Sequence, residues 1–221
     1  MAVACSPADE PAPGARGGSA APVASRAAAN DAELDGPRIV FLGDSLTAGY
    51  GLDASEAYPA LVQARLRNQG LDYHVVNAGV SGDTSAGALR RLDWSLQGDV
   101  RVLVIAIGGN DGLRGLPPAE LERNLATMIE RAQARGAQVL LAGMEAPPNF
   151  GPDYTREFRG VYAELAKRHG VRLIPFFLDG VAGVPGLNLR DGIHPNAAGQ
   201  ARVADLVWRE LEPMLAPTAT R

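Results

Sequence analysis

The chain has 221 residues, 46% hydrophobic and 21% charged, with a formal net charge of −4. That length can bury a core within one domain, and no Lys/Arg-rich run gives it the electrostatic footprint of a nucleic-acid binder. The longest apolar run, VLVIAI at 102–107, falls far short of the roughly 20 residues that cross a bilayer.

Residues 1–36 are rich in Ala, Pro, Gly and Ser and nearly devoid of large apolar side chains. Such a stretch buries too little surface to offset its ordering entropy, so it reads as a flexible tether or the remnant of a processed region. The single cysteine, Cys5, leaves no disulfide framework and no CxxC site. Val3-Ala4-Cys5-Ser6 resembles the junction of a bacterial lipoprotein signal, where the Cys is lipidated. The apolar stretch usual before such a Cys is absent, so a remnant of recombinant expression explains the same residues. The expected address is periplasmic, either free or held at a membrane through Cys5.

Strands and helices alternate from Pro37 onward. RIVFLGDS (38–45) is an apolar strand closed by glycine, and helical spacing over 55–69 places Tyr58, Leu61, Val62 and Leu66 on one face. YHVVNAGV (73–80) reads as the second strand. A helix over 83–97 follows, with Asp83 or Thr84 as its N-cap. VRVLVIAI (100–107) is apolar nearly throughout, as a strand buried on both faces must be. The next helix, 118–135, opens at Pro117-Pro118 and stops at Gly136. AQVLLAGM (137–144), a helix over 154–169, VRLIPFFL (171–178) and a final helix over 196–214 complete the domain at 37–216, leaving a tail at 217–221.

This alternation implies βαβ crossovers and a parallel sheet with helices on both faces. Ligands of such sheets bind at the carboxyl ends of the strands. The segments that converge there are Gly43-Asp44-Ser45, Asn77-Ala78-Gly79, Gly108 to Asp111, Met144 to Ala146, and the loop reaching Asp191 and His194.

A serine hydroxyl needs a base to take its proton, and the base works best when a third group fixes its tautomer. Asp191 and His194 share one short loop, so the carboxylate can reach the imidazole. An oxyanion needs donors aimed at it. Gly79 offers an uncrowded N–H, Asn110 a side-chain amide, and Ser45 its own N–H. Of the other histidines, His74 on a strand and His169 at a helix C-terminus read as structural. Asp44 and Asp111 read as local backbone supports more readily than as catalysts.

GDSL (43–46), Gly79, GGND (108–111) and DGIHP (191–195) resemble the four sequence blocks of the SGNH (GDSL) hydrolases. FLGDSLTAGYG, VVNAGVSGDTSAGAL, IAIGGNDGLRG, PPNFG and DGIHPNAAGQ are similar to the periplasmic arylesterase, acyl-CoA thioesterase and lysophospholipase branch. The similarity covers residues 38–213. It implies an α/β fold, a flavodoxin-like three-layer αβα sandwich with a five-stranded parallel sheet, and no metal or other cofactor. It also implies Ser45 as nucleophile, His194 as base, Asp191 as its orienting partner, and an oxyanion hole of Ser45, Gly79 and Asn110. The substrate would be a small-molecule ester or thioester carrying an acyl chain.

The loops at this edge are apolar for exposed segments. Leu113, Leu116, Pro148, Phe150 and Ile193 are therefore expected to line a shallow groove for the acyl chain. Three other readings stay open. A small-acyl esterase acting on carbohydrate would share the triad. A metal-dependent phosphohydrolase could use Asp44, Asp111, Asp191 and His194 as hard donors. A non-catalytic binding module could keep the fold alone. GGNDGLRG lacks the Lys and spacing of a P-loop, and no G-x-S-x-G elbow occurs. Neither the acyl donor nor the oligomeric state can be read.

Overall fold

The computed structural model describes residues 36–215. Cys5, nearly all of the expected N-terminal segment, and the tail at 217–221 lie outside the described residues.

Five strands, β1 (Arg38–Gly43), β2 (His74–Gly79), β3 (Val100–Ala106), β4 (Gln138–Ala142) and β5 (Arg172–Ile174), form one parallel sheet in the order β2-β1-β3-β4-β5. β1 and β3 are flanked by strands on both sides and covered on both faces. Ile39 to Leu42 and Val102 to Ile107 are accordingly buried almost without exception. The winding reverses between the β1–β2 and β2–β3 connections, and crossovers are right-handed, so the helix after β1 and those after β2, β3 and β4 fall on opposite faces. Helix α2 (Tyr58–Asn68) packs with α8 (Ala197–Leu211). Helix α6 (Pro118–Ala134) packs with both α3 (Ser85–Arg90) and α7 (Pro152–His169). The result is the expected three-layer αβα sandwich.

The helices carry the signals that made them legible. Helix α6 starts with Pro118 and buries Leu121, Leu125, Met128, Ile129 and Ala132, a stripe of helical period. Helix α8 is capped by Asn196, whose Oδ1 accepts the Gly199 N–H at 3.0 Å.

Several boundaries move. The expected helix over 83–97 breaks at Arg91 into α3 and the short α4 (Leu92–Ser95). Thr84, not Asp83, caps α3 through the Gly87 N–H. β5 stops at Ile174, because Pro175 has no N–H to continue a ladder. Two single-turn helices were not anticipated, α1 (Ser45–Ala48) and α5 (Gly109–Leu113). Both begin where a strand ends, β1 and β3. These adjacent strands lead to helices on opposite faces, the switch point at which open α/β sheets bind ligands.

Candidate active site

Ser45 is the first residue of α1, so its N–H has no acceptor within the helix and meets none among the described residues. Asp44 precedes it as N-cap, with Oδ1 accepting the Leu46 N–H at 3.0 Å. That places the Ser45 hydroxyl at the carboxyl edge of the sheet. His194 Nε2 lies 2.9 Å from Ser45 Oγ, and His194 Nδ1 lies 2.8 Å from Asp191 Oδ2. The other oxygen of Asp191 accepts the N–H groups of Ile193 and His194 at 2.9 and 3.0 Å. Those backbone donors, with the imidazole, lower the Asp191 carboxyl to about 2 and keep it ionised. An ionised carboxylate on Nδ1 fixes the proton there and leaves Nε2 free to accept from the hydroxyl. The Tyr50 ring lies over the imidazole, 4.5 Å between centroids at 36°.

The two other carboxylates brace the site. Asp111 is buried and accepts both the N–H and the hydroxyl of Ser85, at 2.8 and 2.5 Å, while Asn124 donates to the same hydroxyl at 2.9 Å. This network ties α5, which carries Asn110, to α3. Burial raises the carboxyls of Asp44 and Asp111, Asp44 to about 6. Asn110 donates from Nδ2 to the Asp83 carbonyl at 2.9 Å, which leaves the second hydrogen of that amide free.

Gly79 requires a correction. Its N–H, expected to face an oxyanion, donates to Asn77 Oδ1 at 3.0 Å. A Cβ at this position would run into the Ala48 backbone nitrogen and lie 2.8 Å from the Thr47 carbonyl carbon. The glycine is there to let β2 pass α1 closely. Three residues on, Gly82 occupies a turn at φ +82° with open space where a side chain would project. Its N–H has no partner among the described residues, and the next residue, Asp83, holds Asn110. Sequence reading missed Gly82. The signal was present in SGDT, where a glycine interrupts the run from strand to helix.

A cavity of about 540 Å³ opens beside Ser45, Asn110 and His194. Leu113, Pro148 and Ile193 line it as expected. Leu116 and Phe150 do not. The Leu116 carbonyl accepts the Tyr154 hydroxyl at 2.8 Å, and the Phe150 ring packs on Tyr154 and covers Gly115. The rest of the wall comes from Leu46, Met144, Ala146 and Pro147 on one side, and Phe176, Leu178 and Ala182 after β5. Among the described residues no three His, Cys, Asp or Glu side chains gather to hold a metal ion, and no helix is long and apolar enough to cross a membrane. His74 begins β2 and His169 ends α7, both at the opposite edge of the sheet.

Residues 41–202 match the model of the GDSL-like lipase/acylhydrolase family. The chain is 51% identical to esterase TesA of Pseudomonas aeruginosa over 80% of its own length and 89% of the relative's. It is 40% identical to thioesterase 1/protease 1/lysophospholipase L1 of Escherichia coli strain K12, covering 80% of this chain and 84% of that one. A crystal structure of TesA superposes with a TM-score of 0.77 at 50% identity, over 81% of this chain and all of that one. The chain belongs to the GDSL-like lipase/acylhydrolase family and is a serine hydrolase of esters.

Proposed function

We propose that the chain cleaves aryl esters, acyl thioesters and lysophospholipids by acyl transfer through Ser45. The observation that carries this reading is the unbroken relay from Ser45 Oγ through His194 to Asp191, with contacts of 2.9 and 2.8 Å. His194 Nε2 takes the hydroxyl proton as Oγ attacks the carbonyl carbon, and Asp191 stabilises the imidazolium that forms. The carbonyl oxygen becomes an oxyanion, met by the Ser45 N–H, the Gly82 N–H and the free Nδ2 hydrogen of Asn110. As the tetrahedral centre collapses, the C–O or C–S bond breaks and His194 returns the proton to the leaving group. Water, deprotonated by the same imidazole, then releases the carboxylic acid and restores Ser45.

The apolar wall from Leu113 to Phe176 suits an acyl chain of several carbons, as do the relatives named esterase and thioesterase/lysophospholipase. A periplasmic address rests on the resemblance to the periplasmic branch of the family, and anchoring at a membrane through Cys5 on the Val3-Ala4-Cys5-Ser6 junction alone. The test is kinetic. Ser45→Ala and His194→Ala should each remove nearly all turnover of p-nitrophenyl butyrate, and the double variant should be hardly worse, because the members act as a unit. A fluorescent alkylphosphonate should label the wild type and not Ser45→Ala. Turnover retained in Ser45→Ala would end the reading.

A further inference from the structure

Arg91 sits where the expected helix breaks, between α3 and α4, and its side chain is only 20% exposed. Its guanidinium spends three donors on three different segments. Nε donates to Asp83 Oδ2 at 2.7 Å, one Nη to the Ala78 carbonyl at 2.7 Å, and the other Nη to the Gly43 carbonyl at 2.8 Å. Gly43 closes β1 two residues before Ser45. Ala78 lies at the end of β2, on the way to Gly82. Asp83 follows Gly82, and its own carbonyl holds Asn110. One planar side chain therefore joins the segments that carry the Ser45 and Gly82 amides, and through Asp83 it reaches the residue that holds Asn110.

We propose that Arg91 is a positioning residue of the oxyanion hole, acting through the spacing between the Ser45 and Gly82 amides; this rests on the hole assigned above. A guanidinium suits the task because its donors diverge in a fixed fork, so it can span three acceptors at once. Lysine offers one ammonium on a flexible stem and cannot hold three segments in register. Oxyanion donors act only where the charge develops, so a shift of about 1 Å can cost on the order of a hundredfold in rate while substrate binding is unaffected.

Arg91→Lys and Asp83→Asn are the informative variants, because both keep the packing and one or more of the contacts; Arg91→Met is the more severe test. The expected result for Arg91→Lys is a kcat lower by about tenfold to a hundredfold with KM within about twofold. Affinity for butaneboronic acid, which forms a tetrahedral adduct on serine, should fall in step with kcat. The loss should be much smaller in an Asn110→Ala background, since both changes strike one hole. Titration with a phosphonate should still count one reactive serine per chain. Wild-type kcat in Arg91→Lys, or a loss matched by the fraction of unreactive chains, would reduce Arg91 to a structural clamp. Asn110→Ala at wild-type kcat would fault the oxyanion assignment itself. A damaged Asn110→Ala beside an unimpaired Arg91→Lys would fault the positioning role alone.

Discussion

Asp44 is the covalent neighbour of Ser45, the proposed nucleophile, yet it is 2% exposed and turned to its own helix. Burial lifts its carboxyl from the ordinary 3.8 to about 6, with the Leu46 N–H and the nearby His194 pulling the other way. A carboxyl raised on folding binds its proton more tightly in the native state. Its contribution is complete below about pH 4 and is lost as pH rises through about 6, an effect of about 3 kcal/mol. Asp191, lowered to about 2, works in the opposite sense: its contribution is complete above about pH 4 and is lost as pH falls through about 2. Thermal melts of wild type and Asp44→Asn at pH 4 and pH 7 should therefore diverge, with the variant gaining on the wild type toward pH 7. A difference that does not change with pH would contradict this. Ser45, Asp191 and His194 were legible as residues because each stands in a short motif, and the three-residue spacing of Asp191 and His194 sets the contact between those two. Gly79 was misread because sequence shows an unhindered amide but not that Asn77, two residues earlier, already occupies it. Arg91 carried no signal at all, since its partners at 43, 78 and 83 meet only once the strand ends are side by side.

Among the elements, those with long apolar periods were readable and those made by tertiary packing were not. Helix α6 and strand β3 follow their patterns, whereas the one-turn helices α1 and α5 are too short to have a period. The loops after the strands were recognisable as apolar, but which of their faces turns to the cavity depends on neighbours. Leu113 faces it, while Phe150 caps Gly115 instead. This division makes a specific expectation for acyl-chain selectivity. Each buried methylene is worth about 0.8 kcal/mol, or roughly fourfold in kcat/KM, until the wall ends. Specificity should thus climb from acetyl to medium-chain p-nitrophenyl esters. Leu113→Ala and Phe176→Ala should flatten the climb with little effect on acetyl ester, and Phe150→Ala should leave it as it is. Acetyl esters turned over best by the wild type would favour the small-acyl esterase instead.

Across the whole molecule, Ser45 and His194 stand 149 positions apart and meet at 2.9 Å. The parallel sheet was expected from alternation and its five strands from resemblance, but not the bracing between the two ends of the domain. Gln200, buried on α8, accepts the Tyr58 N–H at 2.9 Å and donates to the Leu46 carbonyl at 3.1 Å, so the last helix supports both α1 and the start of α2. That feature bears on biosynthesis. A chain emerges N-terminus first, and early segments can begin to fold while later ones are still being made. Ser45 is made early, but its imidazole and the helix that braces α1 come near the end. Ribosome-arrested chains halted before Asp191 should release no product from a fluorogenic ester, and chains halted well beyond α8 should release it readily; product from the shorter chains would refute this. With the proposed triad split between the two ends of the domain, the expectation is a hydrolase that stays dormant until its last helix has been made.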